Sequence, residues 1–329
     1  MNNKAKIIKF IETIVKIIIV LLGLWILYDK IINNHNIRLI WQDIYCTFKD
    51  KKQFLLMIAA LLLMPLNQYL EAIKWKIQVK PIENLSYFKS FLSIFTGISA
   101  GMFFPNRMGN FLGRIFMLEK GDRIKAAMVT IVGGMAQMIA TVSAGIFSLI
   151  FFFKEYSLII FIIFLIITTL LIIMYLNIHL LKHIQFIIPK HFKEKTESYV
   201  NIFSHYNKIE LIKVLLLSLA RYYLYTFQYV ILIWAFKVPL SYPQAMIPIS
   251  ITYLVMMIIP FITITEIAVR GSVSIIIFEK WLSINNISTS MSAMVFSASS
   301  LLWIFNIALP AIIGLLLTYR LKFFRKYES

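Results

Sequence analysis

The sequence predicts an all-α fold, specifically a polytopic helical membrane protein, and three observations carry that prediction. Of the 329 residues, 60% are hydrophobic, and the mean hydropathy is +0.80. A soluble domain carries about 45–50% apolar residues. Apolar runs of about 20 residues recur along the chain, the length a helix needs to cross a bilayer. Backbone polar groups in lipid must be satisfied internally, so such runs are read as helices rather than irregular chain. The expectation is a single membrane domain over residues 1–329 with about eight spanning segments and two broken or re-entrant helix motifs. No soluble catalytic domain is expected beside it.

The elements follow in order. Lys4, Lys6 and Lys9 precede an apolar run that ends in Tyr28-Asp29-Lys30 without a small-residue cleavage site. A retained first span over Ile8–Tyr28 is therefore expected, not a signal peptide. A second span, Phe54–Leu70, runs into Glu71, Lys74, Trp75 and Lys76, an aromatic and cationic interfacial anchor. A third apolar segment, Leu85–Phe104, stops at Pro105, and a short amphipathic helix over Met108–Leu118 follows. Ala126–Phe153 and Leu158–Leu176 are spans joined by a short turn. The lysine-rich stretch from Asn177 to Glu210 reads as amphipathic helices lying on the membrane surface. Leu211–Phe236, Ala245–Phe261, a segment Thr263–Leu282 broken near its start, and Met291–Leu317 complete the set.

Thirty-three Lys and Arg residues against fifteen Asp and Glu give a net charge of +18. The basic residues lie mostly between the apolar runs, where they set topology and meet anionic headgroups. No nucleic-acid-binding motif accompanies the charge, so nucleic acid is not an expected partner. The Lys- and Arg-rich loops assign both termini to the cytoplasm. That orientation closes only if the segment around Pro105 enters and leaves on one side. Cys46 is the single cysteine, which excludes an internal disulfide. His179 and His183 stand four apart with Lys182 between them and no acidic cluster nearby, a poor metal site. Walker, HExxH and G-x-S-x-G signatures are absent. Neither a cofactor nor an enzymatic activity is expected.

Two places repeat a pattern. Phe104-Pro105 is followed by Arg107, Gly109, Asn110, Gly113 and Arg114; Ile259-Pro260 is followed by Glu266, Arg270 and Gly271. In each, an apolar helix stops at a proline, and a polar residue is followed four positions later by an arginine. Proline removes an amide donor and breaks the helix. Residues four apart share a helical face, so Asn110 faces with Arg114 and Glu266 with Arg270. Paired breaks point to a central binding site in inverted-repeat transporters, and a charge at membrane depth needs a partner or water. A structural ion pair that holds a broken helix together is the competing reading of Glu266–Arg270, and a cytoplasmic anchor that of Arg107. Gly97, Gly101, Gly109 and Gly113 stand four apart within each pair, a spacing that lets helices approach closely. Asn67, Glu71 and Lys74 share one face of the second span and its end, where Glu71 and Lys74 either pair or line the mouth of a cavity. Gln137, Arg221 and Gln228 are candidates for the same interior. Asn306 is placed to cap a kink or donate to a neighbour.

These strings resemble the lysylphosphatidylglycerol synthase transmembrane, or flippase-like, family, and are closest to its stand-alone members of Bacteroidetes type. The resemblance rests on Met64-Pro65-Leu66-Asn67 with Glu71 and Lys74-Trp75, and on Pro105-Asn106-Arg107-Met108-Gly109 with Gly113-Arg114. It rests also on Gly134-Met135-Ala136-Gln137, on Thr265 through Gly271, and on Leu302 through Asn306 with Pro310. It implies an all-helical protein of the bacterial cytoplasmic (inner) membrane with re-entrant helices, moving a lipid or lipid-linked precursor between leaflets. It does not imply lipid aminoacylation, which belongs to a soluble domain that these residues do not contain. The family usually carries a glutamate where this chain has Asn110, so Glu266 is left as the sole acid of the repeat.

The expected function is a lipid translocase. Arg114 and Arg270 would bind phosphate by charge and forked hydrogen bonds, with Glu266 orienting Arg270 or binding a cationic group. The substrate is expected to be an anionic phospholipid or a polyprenyl-phosphate-linked sugar. The other class of function is a non-transporting scaffold or accessory subunit, partnered with enzymes of envelope synthesis.

Overall fold

The computed structural model describes residues 49–104, 107, 109–119, 121–179, 201–259, 266–287 and 291–317, with Tyr45 and Tyr199 besides. Every regular element among them is helical. The expected first span, the centre of the lysine-rich stretch, and the prolines Pro105 and Pro260 lie outside the described residues.

Asp50 opens α1 (Lys51–Val79), its carboxylate accepting from the Lys52 amide at 3.1 Å, and the helix continues through Pro65. Ser86 caps α2 (Tyr87–Gly101) by accepting from the Lys89 amide at 3.2 Å. The short α3 (Gly109–Phe116) follows. Asp122 then caps α4 (Arg123–Phe152), accepting from Ile124 and Lys125. These caps satisfy amide donors that have no partner inside their helix. A single turn, Lys154–Tyr156, leads into α5 (Ser157–Leu176), where only Tyr175 is buried. A capping box of Asn207 and Glu210 starts α6 (Lys208–Ala235). α7 (Tyr242–Ile258), α8 (Glu266–Ile284), α9 (Ser292–Trp303) and α10 (Leu309–Leu317) complete the chain, the last two joined by a π-helical stretch, Ile304–Ala308.

Among the described residues, five helices are long and apolar enough to cross a membrane: Lys51–Val79, Arg123–Phe152, Lys154–Leu176, Lys208–Ala235 and Ser292–Leu317. Tyr242–Ile258 is apolar and shorter. α1 packs along α6, α4 lies against α7 and α5, and α2 is clasped between α3 and α10. One apolar core joins α1 and α6 to α9, and a second joins α1, α2 and α4. The polar residues discussed below lie where these cores meet.

The four spaced glycines do what their spacing requires. A methyl group added at Gly113 would run into the Thr96 carbonyl, and one at Gly109 into the Ala100 carbonyl. At Gly101 it would collide with the Asn110 amide. α3 thus folds back on α2 at backbone contact, held further by a hydrogen bond from Thr96 Oγ1 to the Gly113 carbonyl at 3.1 Å. Ser99 Oγ binds the Ala311 carbonyl at 2.7 Å and ties α2 to α10.

Candidate functional site

Two buried carboxylates organise the polar interior. Glu71, on α1, is 4% exposed and meets three cations: Lys74 at 2.7 Å, Arg114 at 2.8 Å and Arg221 at 3.1 Å. Lys74 comes from the next turn of α1, Arg114 from the last turn of α3, and Arg221 from α6. Arg221 also donates from Nε to Asn67 Oδ1 at 3.0 Å and from Nη1 to Gln137 Oε1 at 3.3 Å. α1, α3, α4 and α6 therefore converge on one carboxylate.

Glu266, fully buried at the first turn of α8, forms the second centre. Arg270, one turn on, reaches its Oε1 at 2.5 Å and donates from Nη1 to the Tyr225 hydroxyl at 3.0 Å. Arg107 binds the same carboxylate with two nitrogens, Nε lying 2.8 Å from Oε2 and Nη2 against Oε1. Arg107 holds a left-handed backbone (φ 56°), a conformation that non-glycine residues adopt at some cost and that clusters at functional sites. The two proline-broken motifs are thus bridged to each other: the arginine after the first break binds the acid after the second.

Both centres border one cavity of about 630 Å³, within the range of small-molecule sites. Arg107, Arg114, Arg221, Arg270 and Glu266 line it, with Glu71 and Lys74 directly behind. Asn67, Asn110 and Gln137 line it too. Polar atoms without a hydrogen-bond partner include Asn67 Nδ2, Asn110 Oδ1, Arg114 Nε and Arg270 Nε. A buried polar atom left unpaired costs about 1–3 kcal/mol, so a ligand or water that pairs it is favoured. Tyr222, Tyr225 and Tyr253 form an aromatic wall, Tyr225 and Tyr253 with ring centres 5.5 Å apart. Asn306, in the π-helical stretch, lines the cavity and donates to Gln228 Oε1 at 2.9 Å, while Gln228 Nε2 donates to the Ala60 carbonyl at 2.7 Å. π-helical turns are frequent at functional sites.

Every site residue expected from sequence lies in this assembly. Glu266–Arg270 and Glu71–Lys74 pair as their spacing requires. Asn110 and Arg114 both face the cavity, but Arg114 bonds to Glu71 rather than to Asn110. Arg107, which sequence left between anchor and site, is an internal ligand of Glu266. Gln228 serves the helix contact with Ala60 and Asn306. Sequence reasoning missed Gln68 and the tyrosines. Tyr225 carried a signal, one helical turn after Arg221; Tyr253 carried none, since its partners come from other helices. Among the described residues no cluster of His, Cys, Asp and Glu is arranged to hold a metal ion.

An all-helical bundle with several apolar spans and a charged interior defines a multi-pass membrane protein. The sequence profile of the lysylphosphatidylglycerol synthase TM region matches residues 13–276, and the chain belongs to that family. The match takes in both broken motifs. It begins well before Phe54 and leaves the Leu302–Pro310 segment outside. Comparison with curated proteins and with solved structures gave no match.

Proposed function

We propose that this protein is a lipid translocase of the bacterial cytoplasmic membrane, carrying a headgroup through the cavity while the acyl chains stay in lipid. One observation carries the reading: the charged lining comes from both broken motifs and from α6 together, so helix motion between them would rebuild the site. Arginine forks suit phosphate oxygens, and Glu71 and Glu266 keep the forks oriented while no headgroup is present. In this reading the motif α2–α3 is re-entrant. α2 measures about 22 Å at 1.5 Å per residue, short of the roughly 30 Å hydrocarbon core, and α3 folds back upon it. About eight spans, both termini in the cytoplasm, and no catalytic step complete the proposal.

The test is headgroup translocation in proteoliposomes, comparing wild type with Glu266→Gln and Arg270→Ala. Protein-dependent translocation that both variants abolish is the expected result. Unchanged rates in folded variants would remove these residues from the site. A scaffold role is the second reading, favoured by α5, where Tyr175 alone is buried and the exposed face is apolar but for Thr169. Absence of translocation across a broad lipid panel would support it, and enzymes of envelope lipid or glycan synthesis would then be the partners to seek.

A further inference from the structure

The cavity's charge is too large for one phosphodiester. Five cations (Lys74, Arg107, Arg114, Arg221 and Arg270) face two carboxylates (Glu71 and Glu266), an excess of three positive charges around one space. A phosphodiester headgroup brings a single negative charge and leaves the rest uncompensated at membrane depth, where unpaired charge is expensive. The arginines are also sorted. Arg114 and Arg221 converge on Glu71, and Arg107 and Arg270 on Glu266. Arg107 precedes α3 and Arg114 stands in its last turn, so one short helix carries an arginine to each pair. Each pair still has an unpartnered Nε, on Arg114 and on Arg270.

We infer that the site takes a lipid headgroup with two phosphoryl groups, one for each arginine pair. The inference rests on the translocase reading and narrows it. Each phosphate replaces a carboxylate as the acceptor of one arginine fork, and the tyrosine wall beside Arg270 covers whatever joins or follows the phosphates. Two sources share this chemistry, a polyprenyl diphosphate and a phospholipid whose two phosphates are bridged by glycerol.

Binding to the purified full-length protein in detergent separates the possibilities. The probes are diphosphatidylglycerol, a polyprenyl diphosphate, phosphatidylglycerol and phosphatidylethanolamine. A second phosphate bound from an already tethered headgroup raises affinity on the order of 100-fold. At least one two-phosphate lipid is therefore expected to bind that much more tightly than phosphatidylglycerol, and the better of the two names the source. Arg221→Lys and Arg107→Lys each keep the charge and lose the fork. Each should bring the two-phosphate lipid down toward the affinity of phosphatidylglycerol while changing phosphatidylglycerol itself only a few-fold. Equal affinity for lipids of one and two phosphates overturns the inference. If Arg270-dependent translocation persists in that case, the translocase reading stands without it. If no lipid binds and none is moved, both fall.

Discussion

The two carboxylates are built differently. Glu71 sits inside a long continuous helix and holds three cations, of which Lys74 and Arg114 are largely buried and Arg221 is about a quarter exposed. Glu266 sits at the start of a helix that follows a break and holds two arginines, of which Arg107 is about a quarter exposed. The first centre fastens α1, α3 and α6 together; the second joins the two broken motifs. On the proposed translocase function, the difference gives Glu71 mainly the holding of the bundle and Glu266 mainly the moving part.

The comparison is open to attack by mutation. Glu71→Gln leaves three cations, two of them largely buried, repelling one another, and removing one partner of a buried ion pair costs about 3–5 kcal/mol. A loss at the upper end of that range is expected in thermal or denaturant unfolding in detergent. Glu266→Gln should cost less, about 3 kcal/mol, because it strands two cations rather than three and Arg270 keeps its bond to Tyr225. Its effect on translocation should be the larger of the two. The reverse order of stabilities would break the assignment.

Gly113→Ala probes the scaffold of both centres, since α3 carries Arg114 and follows Arg107. Forcing a methyl group against the Thr96 carbonyl should destabilise by about 1–3 kcal/mol and lower translocation, measured on the same two assays. Tyr225→Phe removes one hydrogen bond to Arg270 and should cost about 1.5 kcal/mol. The smallest effect belongs to an ion pair in water. Asp50 meets Lys237 at 3.2 Å, and the hydrogen bond from Lys237 holds the Asp50 carboxyl below its usual range. A depressed carboxyl contributes stability above its unfolded-state pKa and loses it as pH falls through the folded value. The stability difference between wild type and Asp50→Asn should therefore persist at neutral pH, begin to fall below about pH 4 and be gone once the pH is below the depressed folded value. Asparagine keeps the helix cap, so the comparison isolates the ion pair.

What the sequence made legible follows from periodicity. Glu266–Arg270 and Glu71–Lys74 are neighbours along one helix, so spacing alone finds them. The helical class and the apolar spans were legible for the same reason. The bonds from Arg107 to Glu266, Arg114 to Glu71 and Arg221 to Asn67 cross between helices whose packing no local pattern encodes. Asn110 illustrates the limit. Its spacing from Arg114 placed both on one face correctly, yet the acid that Arg114 binds is Glu71, 43 residues earlier. Tyr253 enters the site only because α7 packs beside α6 and α8.

The central claim is that Arg107 and Glu266 join the two broken motifs into one unit. A double-mutant cycle over Arg107→Gln and Glu266→Gln, read by both unfolding free energy and translocation rate, tests it most directly. The account expects Arg107→Gln to cost much less in the Glu266→Gln background than in wild type. Strictly additive effects on both readouts would contradict it.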